Sequence, residues 1–233
     1  MKIIAYHNFR GGVGSTTLAS NTCIYAAERG LDVVGATFGD RRDLRHHLAH
    51  ADVPWCDGLE RLPETCDLLV LDVHSHCKLI DVVRSDLWVM LMTDPTAVIN
   101  AVRILPQLAG PALWVPTRGF TLFEVPPDLP ERVSVSPPIP YCKALVHSYD
   151  LQRPVWDARR GSSGAAAVER LIRDVLARVG LAVSSVPMQS RKYHGEPTYD
   201  RDSYDGYEGR QEASRSRVKW YFERVGPEWS RVH

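Results

Sequence analysis

Apolar positions fall into two kinds of block along the first 180 or so residues. The first kind is short and continuous: Ile3-Ile4-Ala5-Tyr6, Leu31 to Phe38, Leu68-Leu69-Val70-Leu71, Leu87-Trp88-Val89-Met90-Leu91-Met92, and Ala112 to Val115. Runs with no polar face suit strands of a parallel sheet covered on both sides. The second kind has helical character. Leu18 to Arg29 reads as a helix stopped by Gly30. Gly39 to Ala49, with Arg41, Arg42, Arg45, His46 and His47, reads as a polar loop and a short helix. Asp94-Pro95-Thr96 supplies an N-cap and a first-turn proline for a helix over Ala97 to Leu108. Cys142 to Tyr149 predicts a further helix. Ser162-Ser163 then cap an amphipathic helix with Val168, Leu171, Ile172, Val175, Leu176 and Val179 on one face. Residues 51–66 and 116–140 are rich in proline or glycine and read as irregular, apart from a short strand near Arg132-Val133-Ser134-Val135.

Strands alternating with helices predict an α/β fold: a doubly wound, mostly parallel sheet with helices on both faces. Residues 2–38 form a βαβ unit whose crossover is expected to be right-handed. In such sheets ligands bind at the carboxyl ends of the strands, where the loops after Tyr6, Phe38, Asp72 and Met92 open. Beyond about residue 183 the pattern stops. Ser190 to Ser216 has almost no aliphatic residue and is expected to be disordered. Trp220, Tyr221, Phe222 and Trp229 suggest a short docking helix at the end. The chain therefore divides into a domain over 1–182 and a polar tail over 183–233.

Composition narrows the partners. The 233 residues suffice for one large domain, and the formal net charge is zero, so contact with nucleic acid or membrane needs a local patch. No apolar run approaches the roughly 20 residues that span a bilayer. The N-terminus enters a core strand without a leader pattern. The five cysteines, Cys23, Cys56, Cys66, Cys77 and Cys142, are scattered, which favours reduced thiols in a cytoplasmic protein.

The stretch with the most chemistry is His7-Asn8-Phe9-Arg10-Gly11-Gly12-Val13-Gly14-Ser15-Thr16-Thr17. A Gly-rich turn from a buried strand into a helix N-terminus is an anion site, because backbone N–H groups and the helix dipole converge there. The phosphate loop of nucleotide hydrolases is G-x-x-x-x-G-K-[ST], and Ser15 stands in place of its lysine. The bland alternative is a tight turn that binds nothing, with Asp72 merely capping a strand end. His74-Ser75-His76-Cys77, with His46, His47 and His50 as further candidates, matches no standard metal motif; solvated or hydrogen-bonded histidines are expected there.

Arg10 to Thr17, continued by Leu18-Ala19 and Asn21, resembles the deviant Walker A box K-G-G-V-G-K-T-T-x-A-x-N of the ParA/MinD ATPase family. Asp67-Leu68-Leu69-Val70-Leu71-Asp72 resembles the family's Walker B strand, and Ser85-Asp86 to Asp94-Pro95-Thr96 a later strand-turn-helix block. Lys143-Ala144-Leu145, Arg153-Pro154-Val155-Trp156 and the last helix resemble its C-terminal end, so about residues 1–180 are covered. The resemblance implies ATP or ADP with Mg²⁺ as cofactor. Arg10, Gly11, Gly12, Val13, Gly14, Ser15, Thr16 and Thr17 would surround phosphate, Thr16 and Asp72 would serve Mg²⁺, and Thr117 would stand at the base-reading position. It implies a homodimer in which Arg10, replacing the signature lysine, reaches across the interface.

The family's chemistry is depleted here. Ser15 replaces the phosphate lysine, and Thr37-Phe38-Gly39 replaces the carboxylates of D-x-D, leaving Asp40 as the candidate catalytic carboxylate. Phosphoryl transfer depends on positioning and charge neutralisation, and one positioned contact is commonly worth ~2.7–4 kcal/mol. The expected activity is nucleotide binding with weak or no hydrolysis, a pseudo-ATPase in DNA or plasmid partition or cargo positioning. The resemblance implies non-specific DNA contact through basic residues near the C-terminal end, with Arg153, Arg159, Arg160, Arg170, Arg173 and Arg178 as candidates, which would associate a cytoplasmic protein with the nucleoid. Two alternatives remain: a non-enzymatic scaffold that docks a partner protein through the tail, and an active ATPase with a relocated lysine or arginine.

Overall fold

The computed structural model describes residues 1–38, 43–57, 65–74, 84–117, 120, 129–141, 143–158 and 161–181. The expected tail over 183–233 lies outside the described residues. Seven strands, β1 (Lys2–His7), β2 (Val33–Phe38), β3 (Trp55–Asp57), β4 (Leu68–Val73), β5 (Leu87–Met92), β6 (Ala112–Pro116) and β7 (Val133–Val135), form one sheet. Their order is β3-β2-β4-β1-β5-β6-β7. Every pairing is parallel, so the expected mostly parallel sheet is wholly parallel among the described residues.

Helices α1 (Ser15–Ala27), α2 (Asp43–His50), α4 (Lys143–Asp150), α5 (Val155–Ala158) and α6 (Ser163–Arg178) alternate with the strands, together with α3 (Pro95–Ile104). Strand side chains point alternately to opposite faces. Ile4, Tyr6, Val70, Val89 and Leu91 therefore join one core with Leu18 and Ile24 of α1, Leu48 of α2, Trp156 of α5 and Ile172 of α6. Ala5, Leu69, Leu71, Trp88 and Met90 join the other, with Ala97, Val98 and Ala101 of α3. The sheet is thus buried on both faces, as its unbroken apolar runs require.

Three elements differ from the sequence expectation. Residues 51–66 contain β3, a three-residue edge strand too short to leave a periodic signal; the Gly35 amide donating to the Pro54 carbonyl at 3.0 Å starts its pairing with β2. The third helix ends at Ile104 and tightens into a 3₁₀ turn over Leu105–Gln107, because Pro106 lacks an N–H and clashes with the preceding turn. The four-residue α5 was not expected. The caps are as expected: Asp94 Oδ1 accepts from Ala97 N at 3.0 Å, and Ser162 Oγ accepts from Ala165 N at 3.1 Å.

Helix α1 is buried along its whole length up to Ala26, so its polar side chains must find partners inside the protein. Thr22 Oγ1 donates to the Leu18 carbonyl at 2.9 Å and meets the Tyr6 hydroxyl at 2.6 Å. Asn21 Nδ2 donates to the Thr17 carbonyl at 2.7 Å and to Ser148 Oγ at 3.1 Å, while Asn21 Oδ1 accepts the Val155 amide at 2.8 Å. One amide side chain therefore ties the helix that follows the Gly-rich turn to α4 and α5. At the other end of the sheet, Asp86 accepts the Ile3 amide at 2.8 Å and pairs with Lys2 at 3.0 Å, which fixes β1 against β5.

Candidate functional site

Strand β1 lies between β4 and β5, where the strand order turns back, so the turn after His7 opens at the switch point of the sheet. The turn is shaped by two left-handed residues, Gly12 at φ 71° and Gly14 at φ 100°, a region that L side chains rarely enter. Gly14 is also the N-cap of α1, and the first helical bond runs from Leu18 N to Gly14 O at 2.9 Å. The amides of Ser15, Thr16 and Thr17 belong to the first helical turn, where they have no intrahelical acceptor. Gly11 and Gly12 are exposed, while Val13 is buried and anchors the loop in the core.

Register brings the expected groups together. Asp72 pairs with Tyr6 on one side and Thr37 on the other. Its carboxylate is wholly buried, and Thr16 Oγ1 donates to Asp72 Oδ2 at 2.6 Å. A hydroxyl from the first turn of α1 and a carboxylate from the strand beside β1 thus share one point at the carboxyl edge. On β2 the facing residue is Thr37, so no carboxylate enters from that strand at this level. Asp40 lies outside the described residues. Thr117 sits just past β6, its amide bonded to the Met92 carbonyl at 2.9 Å, and its buried hydroxyl has no hydrogen-bond partner among the described residues.

Two charged or polar contacts close the loop on itself. Buried Asn8 donates through Nδ2 to Ser15 Oγ. Arg10 extends along the surface and pairs with Asp94 Oδ2 at 2.9 Å, at the N-terminus of α3. Neither contact follows from sequence spacing, although Asp94 was legible as a cap. Of the basic candidates, Arg153, Arg170, Arg173 and Arg178 are exposed. Arg178 is engaged with Asp174 and with Ser134 Oγ, both at 2.8 Å. Arg159 and Arg160 lie outside the described residues.

Of the histidines expected to be solvated or hydrogen-bonded, His47 and His74 are drawn into the protein. His47 is buried with its ring 5.1 Å from Tyr149. His74 Nε2 lies 3.8 Å from Asp72 Oδ2. His76 and Cys77 lie outside the described residues, and the described residues hold no cluster of three or more His, Cys, Asp or Glu around a metal position. His7 is buried at the end of β1, and its ring Nδ1 sits 3.1 Å from the Val73 carbonyl. That carbonyl can only accept, so Nδ1 carries the proton. Burial lowers the His7 pKa from 6.5 to about 4; the Val73 bond opposes the shift and His74 adds slightly to it.

The unfolded chain therefore takes up this proton before the folded one does, and stability falls as pH drops from about 6.5 towards about 4. Between pH 7 and pH 5 this single group is expected to remove roughly 2 kcal/mol. Urea unfolding at the two pH values measures it, and a His7→Gln variant is expected to lose that part of the slope. An unchanged slope in the variant would assign the pH dependence elsewhere.

No protein-family model and no curated protein matches the chain. Solved structures do. The septum site-determining protein MinD of Pyrococcus horikoshii, complexed with Mg-ADP, aligns with 78% of this chain and 99% of its own at 17% identity and a TM-score of 0.57. The fold is P-loop NTPase-like. MinD in the MinC:MinD cell division complex of Aquifex aeolicus aligns with 82% of this chain and 100% of its own, at 14% identity and a TM-score of 0.56. A Borrelia burgdorferi protein assigned to plasmid partition and bound to AMPPNP aligns with 76% and 99%, at 14% identity and a TM-score of 0.51. No helix among the described residues is long and apolar enough to cross a membrane.

Proposed function

We propose that this chain is a ParA/MinD-like nucleotide-binding switch that hydrolyses ATP weakly or not at all. The carrying observation is the Thr16–Asp72 contact at 2.6 Å beneath a loop held open by Gly12 and Gly14. Such a pair would hold a divalent cation, and the loop amides would hold phosphate. The residues present fit that group: the buried Thr117 hydroxyl faces no partner among the described residues, at the position expected to read the base. Thr16 and Asp72 would hold the cation, which would supply charge neutralisation at the phosphate. Ser15 and Thr37 supply neither the cation nor the carboxylate that hydrolysis needs, which leaves binding as the main activity. The Mg-ADP in the Pyrococcus MinD structure supports the same assignment.

In this reading the chain forms a homodimer, acts in DNA or plasmid partition or in positioning a cargo, and meets DNA through exposed arginines such as Arg170 and Arg173. A partner protein docks on the tail. A second reading, a scaffold without nucleotide, draws on the Asn8–Ser15 and Arg10–Asp94 contacts, which satisfy loop groups within the chain.

Calorimetric titration with Mg-ADP and Mg-ATP, run with light scattering and a phosphate-release assay, separates the readings. Binding without appreciable phosphate release is expected, and Ser15→Lys is expected to tighten Mg-ATP binding about tenfold, close to 1.4 kcal/mol. No heat at millimolar nucleotide would leave the scaffold. Steady phosphate release would instead identify an ATPase with a relocated cation. The DNA assignment rests on a salt-sensitive shift with non-specific duplex that charge reversal at Arg170 and Arg173 abolishes; a shift that survives both reversals rejects it.

A further inference from the structure

We propose that His74 is a nitrogen ligand to the divalent cation at the Thr16–Asp72 position, so that this site prefers an ion that accepts nitrogen, such as Mn²⁺ or Co²⁺, over Mg²⁺. The proposal rests on the reading of that position as a cation site.

His74 follows β4 directly, and its amide donates to the Phe38 carbonyl at 3.2 Å, which fixes its backbone against the end of β2. From there the side chain turns back over the strand end, leaving it 17% exposed, with Nε2 3.8 Å from Asp72 Oδ2. That separation is too long for a hydrogen bond. The Nε2 atom is itself buried and has no hydrogen-bond partner among the described residues. A buried ring nitrogen left in this way is costly, and one aimed at a carboxylate edge is placed to bind what the carboxylate binds.

Thr16 Oγ1 and His74 Nε2 both approach the same carboxylate oxygen, Asp72 Oδ2. Around a metal with bonds near 2.1 Å, neighbouring donors stand about 3.0–3.4 Å apart. The Thr16–Asp72 separation of 2.6 Å and the Asp72–His74 separation of 3.8 Å fall on either side of that span. Small opposite movements at these two contacts therefore bring each pair within the span of neighbouring metal ligands, with the Thr16–Asp72 hydrogen bond giving way to two metal bonds. Mg²⁺ is a hard ion that keeps waters and oxygen ligands, whereas imidazole suits the later first-row ions. The residue after a Walker B strand thus changes which ion the loop recruits. Sequence alone pointed elsewhere, because His74 was grouped with His76 and Cys77 rather than with Asp72 and Thr16.

The test is pulsed electron paramagnetic resonance of the full chain with Mn²⁺, alone and with ADP, together with calorimetry of Co²⁺ and Mg²⁺. A directly bound nitrogen is expected in both Mn²⁺ samples and is expected to vanish in His74→Ala and His74→Asn. The Co²⁺ to Mg²⁺ affinity ratio is expected to fall at least tenfold in either variant. Bound Mn²⁺ without nitrogen coupling, or a ratio unchanged in both variants, overturns the proposal while leaving the nucleotide reading intact. Mn²⁺ that does not bind with or without ADP overturns both.

Discussion

Replacing Asp72 with asparagine is expected to weaken cation-dependent ADP binding about 100-fold, or roughly 2.7 kcal/mol. The substitution is nearly isosteric and can still accept from Thr16 Oγ1, which now reaches it at 2.6 Å. What disappears is a negative charge in a fully buried position, where a nearby cation feels it with little screening. Binding of ADP without a divalent ion is expected to be unchanged or tighter, because a buried negative charge that repels phosphate is gone. Calorimetry with and without cation separates the two effects. Equal affinity of the variant and the parent in the presence of cation would show that Asp72 is only a structural partner of Thr16.

Asn21→Ala is expected to destabilise the domain by about 4 kcal/mol, a large fraction of the roughly 5–15 kcal/mol that holds a typical domain together. Three hydrogen bonds are lost, and the Val155 amide is left buried without its acceptor. The urea midpoint is expected to fall with an unchanged slope. Asn21→Asp retains the acceptor for Val155 but buries a carboxylate against the Thr17 carbonyl, so its loss is expected to equal or exceed that of Asn21→Ala. A midpoint unchanged in Asn21→Ala would mean that the three bonds contribute little.

Much of the architecture was legible because it follows from unbroken apolar runs and strong local signals. The runs ending at Tyr6, Phe38, Asp72 and Met92 became parallel strands, and Asp94 and Ser162 became caps, since a buried parallel sheet and a helix N-terminus each constrain composition directly. Elements of three or four residues, β3 and α5, left no periodic trace. The first is held by pairing with β2, the second by packing Val155 and Trp156 in the core. Thr16 and Asp72 were readable as a pair because both belong to linear motifs. Other groups around them were not. Arg10 finds Asp94 and Asn8 finds Ser15 through contacts that sequence spacing does not encode, whereas His74 stands two residues beyond Asp72, the spacing that shares a strand face.

Asp94 divides its two oxygens between two tasks: one caps α3 and the other holds Arg10. A half-exposed pair of this kind is worth at most about 1 kcal/mol. If Arg10 were to serve a phosphate on a second copy of the chain, it would trade one anion for another. Association through this residue would then be an exchange with no net gain in ion pairs, and ionic strength would act on both sides of it nearly equally. The arginine would govern where the second copy sits far more than how tightly it is held.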